Sequence, residues 1–321
     1  MVFHVSLNKN DNILTMKWSK FFMNKIVISA SITPLMEDGS LDKAGFRNLL
    51  DRNIRHGLDG IFIFGTMGEW YSFDEQFKEE AVAFAADHVK NRTELMVGIT
   101  STSRALSLKL MESYKKYDFG AFVYMLPQKP SAQDPLRSVL EILDHSDRPV
   151  YFYYSPHLSS ASLSLKEFAE ILKHPNLKGI KNSSCNMWLR KELLLMREEN
   201  GYQVRFLEGQ EWSIDEAALI DLDGAVCGIG GLASKMLVTL TAAFNRGDIA
   251  TAKETQKKLI RLYHGIYGEN IDCVWTGQKY ALYKMGIISS PFTYAQEMDS
   301  LSDAAKKRIE ACIATFKDDL D

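Results

Sequence analysis

The sequence predicts a (β/α)8 barrel that carries a C-terminal helical appendage. Eight short apolar segments with the character of strands alternate with amphipathic segments, at a spacing of roughly 20–35 residues. After Arg246 and Gly247 only helical patterns remain. The same alternation of strands and helices would also suit a doubly wound open sheet, which is the alternative fold.

The predicted strands are short apolar runs that end at polar or turn-forming residues. They begin near Ile26, Ile61, Leu95, Ala121, Val150, Leu177, Val204 and Ala225. Continuous apolar runs of this length are typical of parallel strands that are buried on both faces. Such strands fit the interior of either α/β fold.

Capping residues mark the ends of several predicted helices between these strands. Asp42 begins a helix that runs to His56, and Gly57 follows its last turn. Capping-box patterns predict further helix starts at Ser72 and Ser164. These signals place a helix after a strand in the order that a barrel requires.

The C-terminal part of the chain is predicted to be helical. Amphipathic segments run from Ile249 to Tyr267, from Ile271 to Met285 and from Leu301 to Phe316. No Pro-rich or Ser-rich linker precedes these segments, so we expect them to pack against the barrel. The predicted organisation is a flexible N-terminal extension over residues 1–24, a barrel over 25–246 and a helical appendage over 247–321.

Composition and charge exclude several classes of protein. The 321 residues are 46% hydrophobic and 25% charged, which is typical of a globular chain with a large core. A net charge of −3 without a long basic run argues against nucleic acid as a partner, and no segment predicts a membrane span or a signal peptide. The four cysteines form no CxxC pair, so we expect reduced thiols, no zinc site and a cytoplasmic location.

Lys181 is the candidate with the clearest chemical rationale. It ends the apolar run 177–181, and the polar residues 182–184 follow directly. Burial of a lysine favours its neutral amine, which is a nucleophile for carbonyl carbon. A single lysine at the end of a strand is more often a surface residue. In a barrel, however, the carboxyl ends of the strands form the catalytic face, and polar motifs follow three other predicted strands.

Three of these motifs resemble those of a known family. The segment Gly65-Thr66-Met67-Gly68-Glu69 resembles its GTTGE loop, residues 153–156 resemble YNxP, and residues 179–184 resemble GIKDSS. The family is that of dihydrodipicolinate synthase and N-acetylneuraminate lyase, and the similarity runs from about Ile26 to Leu320. The resemblance implies a (β/α)8 barrel with three C-terminal helices that assembles as a homotetramer or a homodimer.

The resemblance also implies a reaction that needs no metal or organic cofactor. Lys181 would form a covalent imine with a 2-oxo acid such as pyruvate, and the imine would serve as the electron sink. Tyr153 would move protons to and from the reacting oxygens. The expected partners are therefore small molecules, a 2-oxo acid and an aldehyde.

A binding site for the substrate carboxylate is expected at the loop that begins at Gly65. The backbone N–H groups of Thr66 and Met67 and the Thr66 hydroxyl would donate hydrogen bonds there, and Ile229 matches a family position at the floor of this pocket. Glu69 is expected to brace the loop rather than to catalyse.

Several residues depart from the family pattern and bear on the substrate. Met67 replaces a second hydroxyl residue of the loop, and Met125-Leu126-Pro127 replaces a PYY motif that supplies a relay tyrosine. Leu158 stands where dihydrodipicolinate synthases carry an arginine for the carboxylate of their aldehyde, and a leucine cannot replace that charge. In N-acetylneuraminate lyases, residues that match Ser183 and Glu211 read sugar hydroxyls.

These departures favour one function and leave two alternatives open. The favoured function is a Schiff-base-forming lyase or aldolase that acts on a 2-oxo acid with a hydroxylated aldehyde or sugar-acid substrate. One alternative is the condensation of pyruvate with aspartate semialdehyde. The other is a binding or regulatory protein that captures 2-oxo acids without turnover, which the missing relay tyrosine favours and the presence of Lys181 opposes.

Overall fold

The computed structural model describes residues 2–5, 16–19, 24–127, 134–159 and 161–321. Within the predicted N-terminal extension, two short strands, β1 (Val2–Val5) and β2 (Met16–Ser19), pair in antiparallel register. The predicted strand-4 motif continues into residues 128–131, which lie outside the described residues.

A closed barrel of eight parallel strands forms the centre of the fold, as predicted. Its strands are β3 (Ile26–Ala30), β4 (Gly60–Ile63), β5 (Glu94–Gly98), β6 (Ala121–Met125), β7 (Val150–Tyr154), β8 (Leu177–Asn182), β9 (Arg205–Glu208) and β10 (Gly224–Cys227). Each strand pairs with the next one along the chain, and β10 also pairs with β3. This last pairing closes the barrel and rules out the open sheet.

Helices surround the barrel and follow its last strand. Those between strands are α1 (Lys43–His56), α2 (Glu75–Val89), α3 (Arg104–Tyr114), α4 (Pro135–His145), α5 (Pro156–Ser159), α6 (Leu165–Leu172), α7 (Met187–Asn200) and α8 (Ile214–Leu219). After β10 come α9 (Gly230–Asn245), α10 (Ile249–Tyr267), α11 (Val274–Lys284), α12 (Asp303–Thr315) and α13 (Lys317–Leu320). Short 3-10 turns cover Trp70–Ser72, Glu211–Ser213 and Met298–Ser300.

Most of the predicted helix ends coincide with the structure, but one cap was wrong. Asp42 caps α1, and Ser164 forms a capping box at the start of α6. The predicted capping box at Ser72 does not form, because Trp70–Ser72 is a 3-10 turn. Asp74 caps α2 instead, and its side chain accepts a hydrogen bond of 2.8 Å from the backbone of Phe77.

The C-terminal helices share a hydrophobic core with the strands that close the barrel. Val27 of β3, Ala225 of β10 and Leu237 of α9 are buried in the same cluster as Leu262 of α10 and Ile309 of α12. Burial of such apolar side chains is the main favourable contribution to the free energy of folding. The helices that follow β10 are therefore packed against the barrel, as the lack of a linker suggested.

The register of the strands determines which side chains meet at the catalytic end. Tyr153 of β7 is the direct neighbour of Lys181 of β8. Laterally paired residues of parallel strands point to the same face of the sheet, so the two side chains project together.

In the described part of the chain, no helix is both long and apolar enough to cross a membrane.

We expect Gly98→Ala to destabilise the fold strongly. A Cβ atom at Gly98 would lie 2.2 Å from the backbone oxygen of Phe64, so the backbone of one strand end would have to move. Overpacking of this kind raises the free energy of the native state by about 2 kcal/mol or more. Thermal and urea unfolding measure the effect.

Gly231→Ala is the matched control, because its Cβ would approach no other atom closer than 3.5 Å. This variant should unfold close to the temperature of the original protein. Equal unfolding temperatures for the two variants would contradict the steric argument.

Candidate active site

Lys181 and Tyr153 lie side by side at the carboxyl ends of β8 and β7. The Nζ atom of Lys181 lies 4.1 Å from the centroid of the Tyr153 ring and 5.8 Å from that of the Phe62 ring. Both Lys181 and Tyr153 are 6% exposed. Within the described residues Lys181 forms no ion pair. The rings of Tyr153 and Phe62 therefore lie close to the amine.

The loop between β4 and α2 has the shape expected of an anion-binding turn. Phe64 and Glu69, on either side of it, both adopt positive φ values of 57°, which non-glycine residues rarely do. Among the described residues, neither the backbone N–H of Thr66 nor that of Met67 donates a hydrogen bond. The Thr66 hydroxyl is also buried there without a partner. Three donors are thus free to bind a ligand at one turn.

Gly68 allows this loop to approach its neighbours closely. A Cβ atom there would lie 2.8 Å from the backbone nitrogen of Phe64 and 3.1 Å from the carbonyl oxygen of Ser31. Only glycine fits such a contact without movement of the backbone.

Glu69 holds this loop to the C-terminal part of the chain. Its carboxylate accepts hydrogen bonds from the Thr293 hydroxyl at 2.7 Å and from the backbone N–H groups of Tyr294 and Ala295 at 2.9 and 3.2 Å. It also forms an ion pair of 2.5 Å with Lys279, and neither side chain is exposed. These contacts agree with a bracing role for Glu69.

A second contact joins the loop to α11. The indole nitrogen of Trp275 donates a hydrogen bond of 3.3 Å to the carbonyl oxygen of Thr66. The C-terminal helices therefore reach the candidate carboxylate site directly, and they contribute to its position.

Ser183 lies beneath the loop that follows β9. Its buried hydroxyl has no hydrogen-bond partner among the described residues, and a Cβ atom at Gly209 would lie 1.9 Å from it. The side chain of Gln210 donates a hydrogen bond of 3.3 Å to the carbonyl oxygen of Ser183. A hydroxyl without a hydrogen-bond partner thus lies close to the end of the strand that carries Lys181.

Glu211, in the loop that follows β9, contacts the neighbouring loop that follows β10. Its Oε1 atom accepts a hydrogen bond of 2.9 Å from the backbone N–H of Ile229. Burial raises the pKa of Glu211, while that N–H group and the positive charge of Lys181 oppose the change. The structure thus places Glu211 beside Ile229, the residue predicted for the floor of the carboxylate pocket.

The 209–213 segment is held by a buried ion pair. Glu208 and Arg190 are 0% and 7% exposed, and their side chains meet at 2.8 Å. Glu208 also accepts hydrogen bonds from the backbone N–H groups of Gly209 and Gln210 at 3.0 and 2.9 Å. Burial raises the pKa of Glu208 to about 7 even though Arg190 opposes the change. The pair fixes the loop from which Glu211 projects.

Leu158 lies in the short helix α5, which follows the Tyr153 strand. It is partly buried and packs against the hydrophobic core of the barrel. Tyr154 points elsewhere, because its hydroxyl accepts a hydrogen bond of 3.4 Å from the backbone of Leu163 and its ring packs edge-on against Phe168. Of the two adjacent tyrosines, Tyr153 is therefore the one beside the lysine.

The end of β6 brings no phenol to the site. Met125 is the lateral neighbour of Tyr153, and Leu126 and Pro127 follow it. Tyr124 points to the other face, where its charged neighbours are Arg104 and Glu141, and burial raises its pKa. No described residue of this strand end can take the place of the relay tyrosine.

Sequence reasoning anticipated the bracing role of Glu69 but missed three other residues that hold the loops of the candidate site. Glu208 ends an apolar strand just as Lys181 does, so its position was a usable signal. Arg190 and Lys279 lie within amphipathic helices, where a charged residue is ordinarily solvent-exposed, and nothing in the sequence distinguishes them. Within the described residues, no three His, Cys, Asp or Glu side chains are arranged to bind a metal ion.

Comparison with known proteins places this geometry in a family. The model of the Dihydrodipicolinate synthetase family matches residues 23–315. A 4-hydroxy-tetrahydrodipicolinate synthase from Dechloromonas aromatica (strain RCB) is 26% identical over 288 residues, which cover 89% of this chain and 96% of that protein. An N-acetylneuraminate lyase from Escherichia coli (strain SMS-3-5 / SECEC) is 26% identical over 272 residues, which cover 83% of this chain and 88% of that protein.

A solved structure supports the same fold. YagE, a prophage protein of the dihydrodipicolinic acid synthase family from E. coli K12 in complex with pyruvate, matches with a TM-score of 0.79 and 21% identity, over 91% of this chain and 98% of that one. The family model matches most of the chain, so it supports membership of the family as well as the fold. The chain belongs to the dihydrodipicolinate synthetase family.

Proposed function

We propose that the chain is a Schiff-base-forming lyase or aldolase that acts on a 2-oxo acid, such as pyruvate, with a hydroxylated aldehyde or sugar-acid substrate. The observation that carries the proposal is the position of the Lys181 amine, 4.1 Å from the Tyr153 ring at the carboxyl end of a parallel barrel. A nucleophilic amine and a phenolic proton donor are the two groups that imine chemistry requires.

The bond changes follow from these two groups. The Lys181 amine attacks the ketone carbon of the 2-oxo acid, and the carbinolamine then loses water to give an iminium ion. Tyr153 supplies the proton that the departing hydroxyl needs. The iminium withdraws electrons from the adjacent carbon, and the bond between C3 and C4 of the substrate then breaks or forms.

The free donors of the 65–69 loop suit the substrate carboxylate. The Thr66 hydroxyl and the backbone N–H groups of Thr66 and Met67 have no other hydrogen-bond partner among the described residues. Donors that are already oriented bind an anion without a further cost of ordering. The loop would thus hold the carboxylate while the ketone faces Lys181.

Leu158 and Ser183 bear on the second substrate. Leu158 presents no charge beside the Tyr153 strand end, and a carboxylate that loses its hydration without a charged partner binds poorly. The free Ser183 hydroxyl suits a hydroxylated substrate. The 26% identity to a protein named N-acetylneuraminate lyase agrees with this assignment.

Two other functions remain candidates, each with one observation in its favour. Condensation of pyruvate with aspartate semialdehyde is favoured by the similarity to a 4-hydroxy-tetrahydrodipicolinate synthase. Capture of a 2-oxo acid without turnover is favoured by Met125-Leu126-Pro127, which replaces the motif that supplies the relay tyrosine. We propose that no metal or organic cofactor takes part, because the imine on Lys181 serves as the electron sink. Assembly as a homotetramer or a homodimer stays a prediction.

Reductive trapping tests the imine. Borohydride added with pyruvate should attach a stable mass to the peptide that contains Lys181, because reduction makes the imine bond permanent. Lys181→Ala should abolish the adduct. Lys178→Ala is the control, since Lys178 lies on the same strand, is half-exposed and pairs with Glu94. An adduct that survives in Lys181→Ala would refute the mechanism.

Tyr153→Phe should reduce turnover far more than imine formation. Bond making and breaking need a proton donor at a defined position, and loss of such a group costs about 10²-fold or more. Tyr154→Phe is the control, because the hydroxyl of Tyr154 binds the backbone of Leu163. Steady-state rates and borohydride-trapping yields are to be compared between the two variants. A near-normal rate for Tyr153→Phe would assign the proton to another group.

The choice of aldehyde depends on Leu158. Leu158→Arg should improve the use of aspartate semialdehyde by about tenfold, because a guanidinium can pair with its carboxylate. Leu158→Met, which adds no charge, should change little. The kcat/KM values for aspartate semialdehyde and for a neutral sugar aldehyde measure the selectivity. Efficient use of aspartate semialdehyde by the unmutated protein would favour the dihydrodipicolinate synthase-like function.

A further inference from the structure

Among the described residues, Glu69, Glu208 and Glu211 are buried carboxylates at the ends of β4 and β9, and two of them have a cation of their own. Glu69 pairs with Lys279, and Glu208 pairs with Arg190. Glu211 is 7% exposed and forms no ion pair within the described part of the chain. Because a buried carboxylate without a cation is costly, Glu211 is the acid whose charge is open to change.

Glu211 lies against the loop that binds the substrate carboxylate. A Cβ atom built on Gly228 would lie 3.0 Å from the Glu211 Oε1 atom and 2.8 Å from the Cγ atom of Met67. The Glu211 carboxylate and the Met67 side chain therefore both lie next to Gly228. The Met67 side chain offers no donor here, and Glu211 is the polar side chain on the other side of Gly228.

The other groups near Glu211 limit which of them can change charge. The titratable groups around it are Lys181 of β8, Glu208 of β9, Cys227 of β10, and Tyr263, His264 and Tyr267 of α10. Burial raises the pKa values of Cys227, Tyr263 and Tyr267, so these three stay neutral near pH 7. Burial raises the pKa of Glu208 to about 7, but its carboxylate is engaged by Arg190 and by the backbone of Gly209 and Gln210. Glu211 is the acid that lies next to Met67.

The charge of the occupied site follows from the proposed function, on which this inference rests. The iminium ion that forms on Lys181 carries one positive charge. The substrate adds one carboxylate. An enclosed site with one cation would then hold two anions, and two carboxylates in such a site share a proton.

We propose that Glu211 takes up one proton from solvent when a 2-oxo acid binds, and that its carboxylic acid group then donates a hydrogen bond to the substrate carboxylate. The hydrogen bond from the Ile229 N–H goes to Oε1, so Oε2 can carry the proton. The acid would supply the side-chain donor that Met67 lacks.

The proposal predicts the direction of the pH dependence. Since the substrate carboxylate favours protonated Glu211, the pKa of Glu211 is higher in the complex than in the free protein. Affinity is therefore constant at low pH and falls as the pH rises through the interval between these two pKa values, by up to about tenfold per pH unit. Uptake of protons is greatest within the same interval and declines above it.

Calorimetric titration with pyruvate in buffers of different ionisation enthalpy counts the protons directly. The original protein should take up about one proton more per site than Glu211→Gln, whose amide still accepts the Ile229 hydrogen bond but does not titrate. His264→Gln is the control for the exposed histidine nearby and should behave like the original protein. Equal proton uptake in the original protein and in Glu211→Gln would overturn the proposal.

A second measurement does not depend on a variant. Proton uptake by the original protein should pass through a maximum as the pH is raised, whereas uptake by a neutral Lys181 amine would keep rising with pH. A steady rise would overturn the role of Glu211. If Glu211→Gln folds but no longer forms the borohydride-trapped adduct, the site needs a negative charge at residue 211, and the proposal fails. The imine mechanism is still upheld in that case if the original protein forms the adduct. If the original protein formed no trapped adduct, the proposed function itself would be refuted.

Discussion

The buried ion pair between Glu69 and Lys279 is the interaction on which the catalytic end depends most. It joins the loop after β4 to helix α11, and the hydrogen bonds from residues 293–295 to the same carboxylate extend the connection. Removal of one partner of a buried pair typically costs 3–5 kcal/mol, because the other charge is left without compensation. The free donors of Thr66 owe their position to this anchor, and the Trp275 indole strengthens it.

A second buried ion pair holds the loop that follows β9 in a similar way. Arg190 of α7 neutralises Glu208, and Glu208 in turn binds the backbone of Gly209 and Gln210. The two loops that carry Thr66 and Glu211 are thus each held by a carboxylate that takes no direct part in the proposed chemistry. Lys181 and Tyr153, in contrast, lie on the strands themselves, where the barrel hydrogen bonds keep them in place.

The sequence predicted the parts of the site that depend on local pattern. The apolar runs located all eight strands, and the end of one run indicated Lys181, whereas Tyr153 was indicated by the resemblance to a known family. The partners of Glu69 could not be predicted in this way, since they lie more than 200 residues away and their pairing is a property of the assembled barrel. The helix after Ser72 was misplaced for a local reason, because a 3-10 turn occupies the expected cap.

The pairing of β10 with β3 has a consequence for biosynthesis. The first strand of the barrel leaves the ribosome long before residues 224–227, which must lie beside it to close the cylinder. Residues 279 and 293–295 follow still later, and they complete the anchor of the 65–69 loop. Contacts of such long sequence separation form slowly, and a partly made barrel exposes unpaired strand edges. The candidate carboxylate site therefore cannot form until nearly all of the chain has been made.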